Sequence, residues 1–231
     1  MSLILHIETS TATCSVALSE NGELLANIDK TEKNIHASSL TLFIQDVLKE
    51  ANRDIKELDA VAVSMGPGSY TGLRIGVSTA KGLCYALDIP LIAVNTLEAM
   101  ANGFKNRCFS VNKYTLFCPM IDARRMEVYS AVFDDELQMI KGVGAVIVDE
   151  NSFKDVLETH IVYFFGDGAA KCEEVLTTHL NARVLDVYVN NAADMISIAH
   201  EKYENKNFVD VAYFEPYYLK DYVAGVKRAQ C

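Results

Sequence analysis

Apolar residues along this chain follow two spacings, one typical of β-strands and the other of helices. Short, nearly continuous apolar runs alternate with segments in which apolar residues recur every three or four positions. Asn21-Gly22 separates two such runs and is a strong hairpin signal. In the first half the pattern predicts strands at residues 3–8, 14–18, 23–28, 59–65 and 91–94, and helices at 38–52, after Gly66 and near 97–101.

The second half repeats this order after a polar junction at residues 102–113. Each half runs through strand, acid-bearing turn, strand, turn, strand, helix, strand, glycine turn and helix. The second copy predicts strands at 116–121, 127–133 and 161–165, and helices at 152–158, 169–180 and 192–201. This repetition predicts two α/β lobes, at residues 1–105 and 106–231, of which the second is smaller and degenerate.

Residues 66–83, GPGSYTGLRIGVSTAKGL, are the most unusual segment. A Gly-Pro-Gly turn opens into a helix that carries Gly72, Gly76 and Ala80 at positions i, i+4 and i+8, so one helix face has almost no side chain. Each glycine costs a helix about 0.5–1 kcal/mol relative to alanine. We therefore expect something to press closely on this face, and the sequence leaves open the chain's own core, a partner helix or a ligand.

The charge balance bears on nucleic-acid binding. Lys and Arg number 21 against 31 Asp and Glu, which gives a net charge of −10. The compact basic groups are Arg124-Arg125 and Lys227-Arg228. Binding to phosphates needs clustered cations, so the chain is not expected to bind a nucleic acid on its own.

The cysteines and the N-terminus bear on the compartment. Six cysteines lie far apart without a CxxC pair, which favours a reduced, cytoplasmic setting. No apolar run approaches the ~18 residues of a membrane span, and the start of the chain has the pattern of a core strand rather than of a signal peptide. We expect no contact with a membrane.

The duplicated plan resembles the actin, sugar-kinase and Hsp70 (ASKHA) superfamily, whose fold is two-lobed, actin-like and ribonuclease H-like. In that superfamily the first hairpin turn of each lobe faces a nucleotide phosphate, and a glycine turn in the second lobe meets the adenosine. The resemblance therefore implies a set of nucleotide-facing residues: Glu8, Thr9, Ser10, Asp122, Gly166 and Gly168.

Five motifs are more specific and run in one order along the whole chain. They are IETSTATCSVAL at 7–18, IHASSL at 35–40, the glycine-rich segment at 66–83, DARRMEVY at 122–129 and PYYLKDYVA at 216–224. Together they resemble the TsaB (YeaZ) family. The resemblance implies a non-catalytic subunit of the complex that makes N6-threonylcarbamoyladenosine at position 37 of tRNA.

The same resemblance implies partners and cofactors. It implies a heterodimer with the catalytic subunit TsaD, contact with the ATPase TsaE and with tRNA only through the complex, and a homodimer when the chain is isolated. It assigns no cofactor to this subunit and leaves ATP or ADP and a metal to the assembled complex. We expect docking through the helices of the first lobe, at His36, Leu40, Phe43, Ile44, Tyr70, Gly72, Arg74, Gly76, Val77 and Ala80. The alternative, that both helices turn these residues to one internal core, stays open at this point.

The sequence patterns indicate no catalytic residue and no metal site. TsaD-type enzymes use an HxxxH pair, whereas no two of the five histidines here, at 6, 36, 160, 179 and 200, are four apart. An autonomous ASKHA ATPase or phosphotransferase is one alternative, with Glu8 and Asp122 orienting a metal or water. A glycopeptidase-like protease is another, although the chain has neither HExxH nor GxSxG, and Ser69 has no histidine near it in sequence.

Overall fold

Two five-stranded sheets with the same strand order form the frame of the molecule. The computed structural model describes residues 2–32, 35–107, 112–185 and 188–220. The first sheet has the order β3-β2-β1-β4-β5, and the second has the order β8-β7-β6-β9-β10. The strands are β1 (Leu3–Glu8), β2 (Thr13–Glu20), β3 (Glu23–Thr31), β4 (Ala60–Gly66), β5 (Leu91–Asn95), β6 (Thr115–Asp122), β7 (Glu127–Phe133), β8 (Met139–Ile147), β9 (Ile161–Phe165) and β10 (Ala182–Leu185).

In each sheet the first three strands are antiparallel, and the last two run parallel to the first. The repeated order confirms the predicted duplication and the two-lobed ASKHA class. Strands β1, β4 and β5 carry nearly continuous apolar sequence because both of their faces are covered.

Six α-helices accompany the sheets in the described residues: α1 (Ile35–Glu50), α2 (Tyr70–Leu87), α3 (Thr96–Arg107), α4 (Lys154–Leu157), α5 (Glu173–Leu176) and α6 (Ile196–Glu204). The helix predicted over residues 169–180 is shorter than expected. A 3-10 turn at Ala170–Cys172 leads into the single turn of α5, and β10 follows, which the pattern did not predict. Thr177 and Thr178 turn their hydroxyls back onto carbonyls of this turn, at 2.7 Å each, as the helix ends.

Four apolar clusters hold the sheets and helices together, and in one of them α4 and α5 cover a face of the second sheet. Helices α1 and α2 cover one face of the first sheet, and α6 with the 3-10 turn before it covers the other. Helix α3 packs through Leu97, Met100 and Phe104 on the second sheet, while it also contacts β4 and β5 of the first. Helix α3 therefore contributes to separate apolar clusters of both lobes, through Ala99 to the first and through Leu97, Met100 and Phe104 to the second.

The predicted lobe boundary is wrong for the C-terminal part of the chain. Ala192, Met195 and Ala199 are buried in the core of the first sheet. The segment after α6 also lies on the first lobe, since Val209 N donates to Leu91 O at 3.0 Å and Tyr217 N donates to Met65 O at 2.7 Å. The second lobe thus comprises β6 to β10, and the chain returns to the first lobe afterwards. Within the described ranges, no helix has the length and apolar character to cross a bilayer.

Candidate docking face and interlobe cleft

A cleft of about 800 Å³ lies between the lobes. Its first-lobe wall is the β1–β2 turn at residues 10–12 together with the N-terminus of α2. Its second-lobe wall is the β6–β7 turn at residues 122–124. Residues 218–220, at the end of the segment that crosses the first lobe, line the same space. The first hairpin turns of the two lobes therefore line one cleft.

On the second-lobe wall, Asp122 is held by the chain itself. Its Oδ1 accepts a hydrogen bond from Arg124 N at 2.9 Å and forms an ion pair with Lys171 Nζ. Its own N–H donates to Asp167 Oδ1 at 2.9 Å. Desolvation acts to raise the pKa of Asp122, but the hydrogen bonds from Lys171 and Arg124 outweigh it and the pKa is lowered. Asp122 is therefore an ionised carboxylate with a built-in counter-ion.

On the first-lobe side, Glu8 lies beneath the cleft floor. It is buried, and its Oε1 accepts hydrogen bonds from Ser10 N at 2.6 Å and Ser64 Oγ at 3.2 Å. Desolvation raises the pKa of Glu8 despite these bonds. Thr9 is also buried and donates from Oγ1 to Gly72 O at 2.9 Å. Among the predicted nucleotide-facing residues, Ser10 and Asp122 line the cleft, whereas Glu8 and Thr9 support it from below.

The glycine turn of the second lobe packs against β6. A Cβ at Gly166 would collide with Met120 O, and one at Gly168 would stand 2.8 Å from the carbonyl carbon of Ile121. The backbone of Gly166 has a φ of +105°, a conformation that favours glycine. Both glycines are buried and lie outside the lining of the cleft. Close backbone packing accounts for them, and the structure does not bring them to the predicted nucleotide-facing position.

The small face of α2 is covered by the chain's own β1–β2 turn. A Cβ at Gly72 would collide with Thr9 O, and one at Gly76 would collide with Thr9 Oγ1. The interpretation of this face as an open docking surface is therefore wrong, because no room remains for a partner helix. Leu40, Ile44, Val77 and Ala80 are likewise buried in the first core, and His36 Nε2 donates to Thr11 O at 2.8 Å from a buried position.

Three of the predicted docking residues do reach the surface. Phe43 and Tyr70 are half-buried, and Arg74 is exposed. Arg74 Nη1 donates to Tyr70 OH at 3.3 Å, with the guanidinium carbon 5.6 Å from the ring centre. Tyr218 packs on the same ring at 4.7 Å. The docking role of these three residues stays a prediction.

Sequence reasoning missed the face of α2 that is open. Ser78, Gly82 and Ala86 repeat the i, i+4, i+8 spacing about 120° further around the helix axis, and all three are exposed. A Cβ at Gly82 would meet no atom within 4 Å. Tyr85 on this face is 85% exposed, and Leu42 on neighbouring α1 is 54% exposed. We call these five residues the outer helix face; their spacing was visible in the sequence, but their orientation was not.

The histidines are dispersed. His6 is buried in β1 with Nε2 2.7 Å from Ser19 Oγ, His36 is bound to Thr11, and His179 Nε2 donates to Glu150 O at 3.1 Å. His160 contacts Thr159, and His200 contacts Ser2. In the part of the chain that the structure describes, no three His, Cys, Asp or Glu residues are grouped so as to hold a metal ion.

His6 should make folding sensitive to mild acid. Burial lowers its pKa from 6.5 to about 3, so between these values the unfolded chain binds a proton that the folded chain does not. The contribution of neutral His6 to the free energy of unfolding is therefore fully present above pH 6.5. It is lost as the pH falls, by up to about 1.4 kcal/mol per pH unit. Urea unfolding of wild type and His6→Gln at pH 7, 6 and 5 measures the effect. The difference in free energy of unfolding between wild type and His6→Gln should shrink by more than 1 kcal/mol from pH 7 to 5. A difference that stays the same at all three pH values would contradict the lowered pKa of His6.

Comparison with known proteins places the chain among tRNA-modifying proteins. Residues 23–225 match the family model described as "TsaD: tRNA N6-adenosine threonylcarbamoyltransferase". The Escherichia coli "tRNA threonylcarbamoyladenosine biosynthesis protein TsaB" is 32% identical, over 97% of each chain. A tRNA N6-adenosine threonylcarbamoyltransferase of Ligilactobacillus salivarius is 40% identical over 40% of this chain and 32% of its own. YeaZ from Pseudomonas aeruginosa superimposes with a TM-score of 0.81 at 26% identity, over 95% of this chain and 100% of its own.

Proposed function

This chain belongs to the TsaB family of tRNA threonylcarbamoyladenosine biosynthesis proteins, and from that premise we propose that it is the accessory subunit of a threonylcarbamoyl transferase complex. In this proposal the catalytic subunit is a TsaD-type transferase, with which the chain forms a heterodimer. The chain itself performs no chemistry and holds no metal. The single observation that carries the docking role is the outer helix face, an open surface of small and apolar residues on two adjacent helices.

The outer helix face has the composition that helix–helix association needs. Ser78, Gly82 and Ala86 let a partner backbone approach closely, because none has a long side chain. Tyr85 on α2 and Leu42 on α1 are exposed and supply apolar area that association would bury. Arg74 adds a polar rim on the side of α2 that carries Tyr70. A second copy of the chain would fit the same face, so we propose that the isolated chain forms a homodimer there and exchanges it for TsaD.

The dispersion of the histidines supports a non-catalytic role. Two histidines four apart on one helix could grip a single ion, but the five histidines here lie on separate elements and have local partners. Asp122 is already paired with Lys171 on the cleft wall. We propose that ATP or ADP and a metal act in the assembled complex rather than on this subunit, and that TsaE and tRNA join through the complex.

The docking face is tested by a matched pair of exposed leucines. Leu42 lies on the outer helix face at 54% exposure, and Leu180 lies on the second lobe at 91% exposure. Leu42→Asp should weaken binding to the TsaD partner by about tenfold or more, since a charge would be desolvated in the interface. Leu180→Asp should bind as wild type does. Titration calorimetry with each purified variant measures this, and equal losses from both, or from neither, would reject the assigned face.

Binding of tRNA to the chain alone should be weak. The net charge is −10, and non-specific affinity for nucleic acid comes from Lys and Arg contacts to phosphates, with dissociation constants of about 10⁻⁴ to 10⁻⁶ M. Filter binding of labelled tRNA at 50 and 200 mM salt should show low affinity that falls steeply with salt. A nanomolar complex that persists at 200 mM salt would contradict the proposal that tRNA is reached through the complex.

A further inference from the structure

Two stretches that lead from one lobe to the other meet, in their described residues, at one buried carboxylate. The first crossing leaves α3 at Arg107, and the second leads from β10 to the 3-10 turn at Ala192–Met195. Asp194 lies in that turn and is 6% exposed. Its Oδ1 pairs with Arg107 Nη2, and its Oδ2 accepts from Tyr188 OH at 2.6 Å.

The first-lobe side of this junction is extensively bonded. Asn102 Nδ2 on α3 donates to Asp194 O at 2.8 Å and to Ser197 Oγ at 2.9 Å. Ala192 N donates to Ser15 Oγ on β2 at 3.0 Å, and Asn191 Nδ2 donates to Asp29 Oδ1 on β3 at 3.0 Å. The backbone around Asp194 is thereby fixed to the first sheet and to α3.

The Tyr188 ring belongs to the other side of the junction. It packs edge-on against Phe165 of β9 at 4.9 Å, and Phe165 is stacked on Phe104 at 4.2 Å. Arg107 also reaches this ring, with its guanidinium carbon 5.2 Å from the ring centre. The Tyr188 hydroxyl is therefore the link between a ring held by the second sheet and a carboxylate held by the first.

Gly103 shows how closely this junction is packed. A Cβ there would collide with the carboxylate carbon of Asp194. The close approach of α3 brings Asn102 and Arg107 within reach of the same residue. The junction also continues to the cleft, because Asn190 Nδ2 lies 3.4 Å from Ser10 Oγ on the first-lobe wall.

We propose that Asp194 is an interlobe lock, whose carboxylate ties the two chain crossings together and thereby fixes the width of the cleft. A buried ion that loses one partner is left uncompensated, so the pairings with Arg107 and Tyr188 resist separation of the crossings. The lock makes the chain a rigid body on which the outer helix face keeps one orientation relative to the second lobe. Asp194 acts here as a positioning residue, and the inference does not depend on the identity of the docking partner.

The test measures the distance between the lobes rather than stability alone. Spin labels at Gln45→Cys on α1 and Glu174→Cys on α5 report the lobe separation, with Cys108 and Cys231 replaced by serine. The cysteines at 14, 84, 118 and 172 are buried, and burial raises the pKa of Cys14 and Cys84 to about 11, which limits their labelling.

Arg107→Gln combined with Tyr188→Phe should at least double the width of the distance distribution, and each change alone should broaden it less. The matched control is Arg183→Gln with Tyr163→Phe, because Arg183 bonds only nearby carbonyls in the described structure and Tyr163 packs on the same Phe104. This control should keep the wild-type width. Asp194→Asn should reproduce the broadening where it folds.

A melting curve on each labelled protein confirms that it is folded. A folded Arg107→Gln/Tyr188→Phe variant with the wild-type distance distribution would overturn the lock. Equal broadening in the control pair would overturn it too, because the effect would then be a general loosening of the second lobe.

Discussion

The Gly76→Leu variant is expected to fold poorly. The Gly82→Leu variant should fold at least as well as wild type but bind the TsaD partner more weakly. Both changes place the same side chain on α2, six residues apart, and therefore on faces about 120° apart around the helix axis. At position 76 the new side chain meets Thr9, whose Oγ1 is fixed by its bond to Gly72 O. Overpacking of this kind costs about 1–3 kcal/mol and sometimes more, so the melting temperature should fall by about 2–12 °C or more.

At position 82 nothing stands within 4 Å of the new Cβ. Replacing a mid-helix glycine with leucine gains about 0.5–1 kcal/mol of helix propensity, and the melting temperature should rise by a few degrees. The added side chain would hold a partner helix away, and a loss of about 1–3 kcal/mol weakens binding about 5- to 150-fold. Thermal unfolding and binding to the TsaD partner measure the two effects side by side. A Gly76→Leu protein that melts as wild type does, or a Gly82→Leu protein that binds as tightly, would show that the two faces are misassigned.

The isolated chain should form no threonylcarbamoyladenosine. After metal removal and repurification, a reaction with threonylcarbamoyl-adenylate, added metal and tRNA should match a blank without protein. The expectation follows from the side chains, since the histidines are separate and Asp122 is neutralised by Lys171. Mass spectrometry of digested tRNA measures the product. Robust modification by the chain alone would reject the non-catalytic role, and ATP hydrolysis that is lost in Asp122→Asn would favour an autonomous ATPase instead.

The sheets could be predicted from the sequence because their signals are local. The continuous apolar runs of β1, β4 and β9 and the Asn21-Gly22 turn each specify an element without reference to the rest of the chain. Duplication of the order of elements then predicted two lobes of one fold. β10 escaped prediction because four residues at Ala182–Leu185 carry little pattern, and pairing with β9 decides their conformation.

The orientation of α2 could not be predicted in the same way. The helix has two stripes of small residues, one at 72, 76 and 80 and the other at 78, 82 and 86. Which stripe is covered depends on Thr9, which lies more than sixty residues earlier in the chain and meets the helix only in the folded protein. The lobe boundary failed for a similar reason, since the apolar face around Met195 fits a sheet that was formed by the first hundred residues.

The central claim is that this chain supports a TsaD-type transferase by docking through the outer helix face, and a reconstituted modification reaction tests it most directly. The reaction contains TsaD, TsaE, ATP, threonylcarbamoyl-adenylate and tRNA, and the modified nucleoside is quantified with no added chain, with wild type and with Gly82→Leu. The account predicts product with wild type, background without the chain, and at most about a third of the wild-type product with Gly82→Leu when the chain is added at the concentration that half-saturates with wild type. Equal product in all three reactions would contradict it.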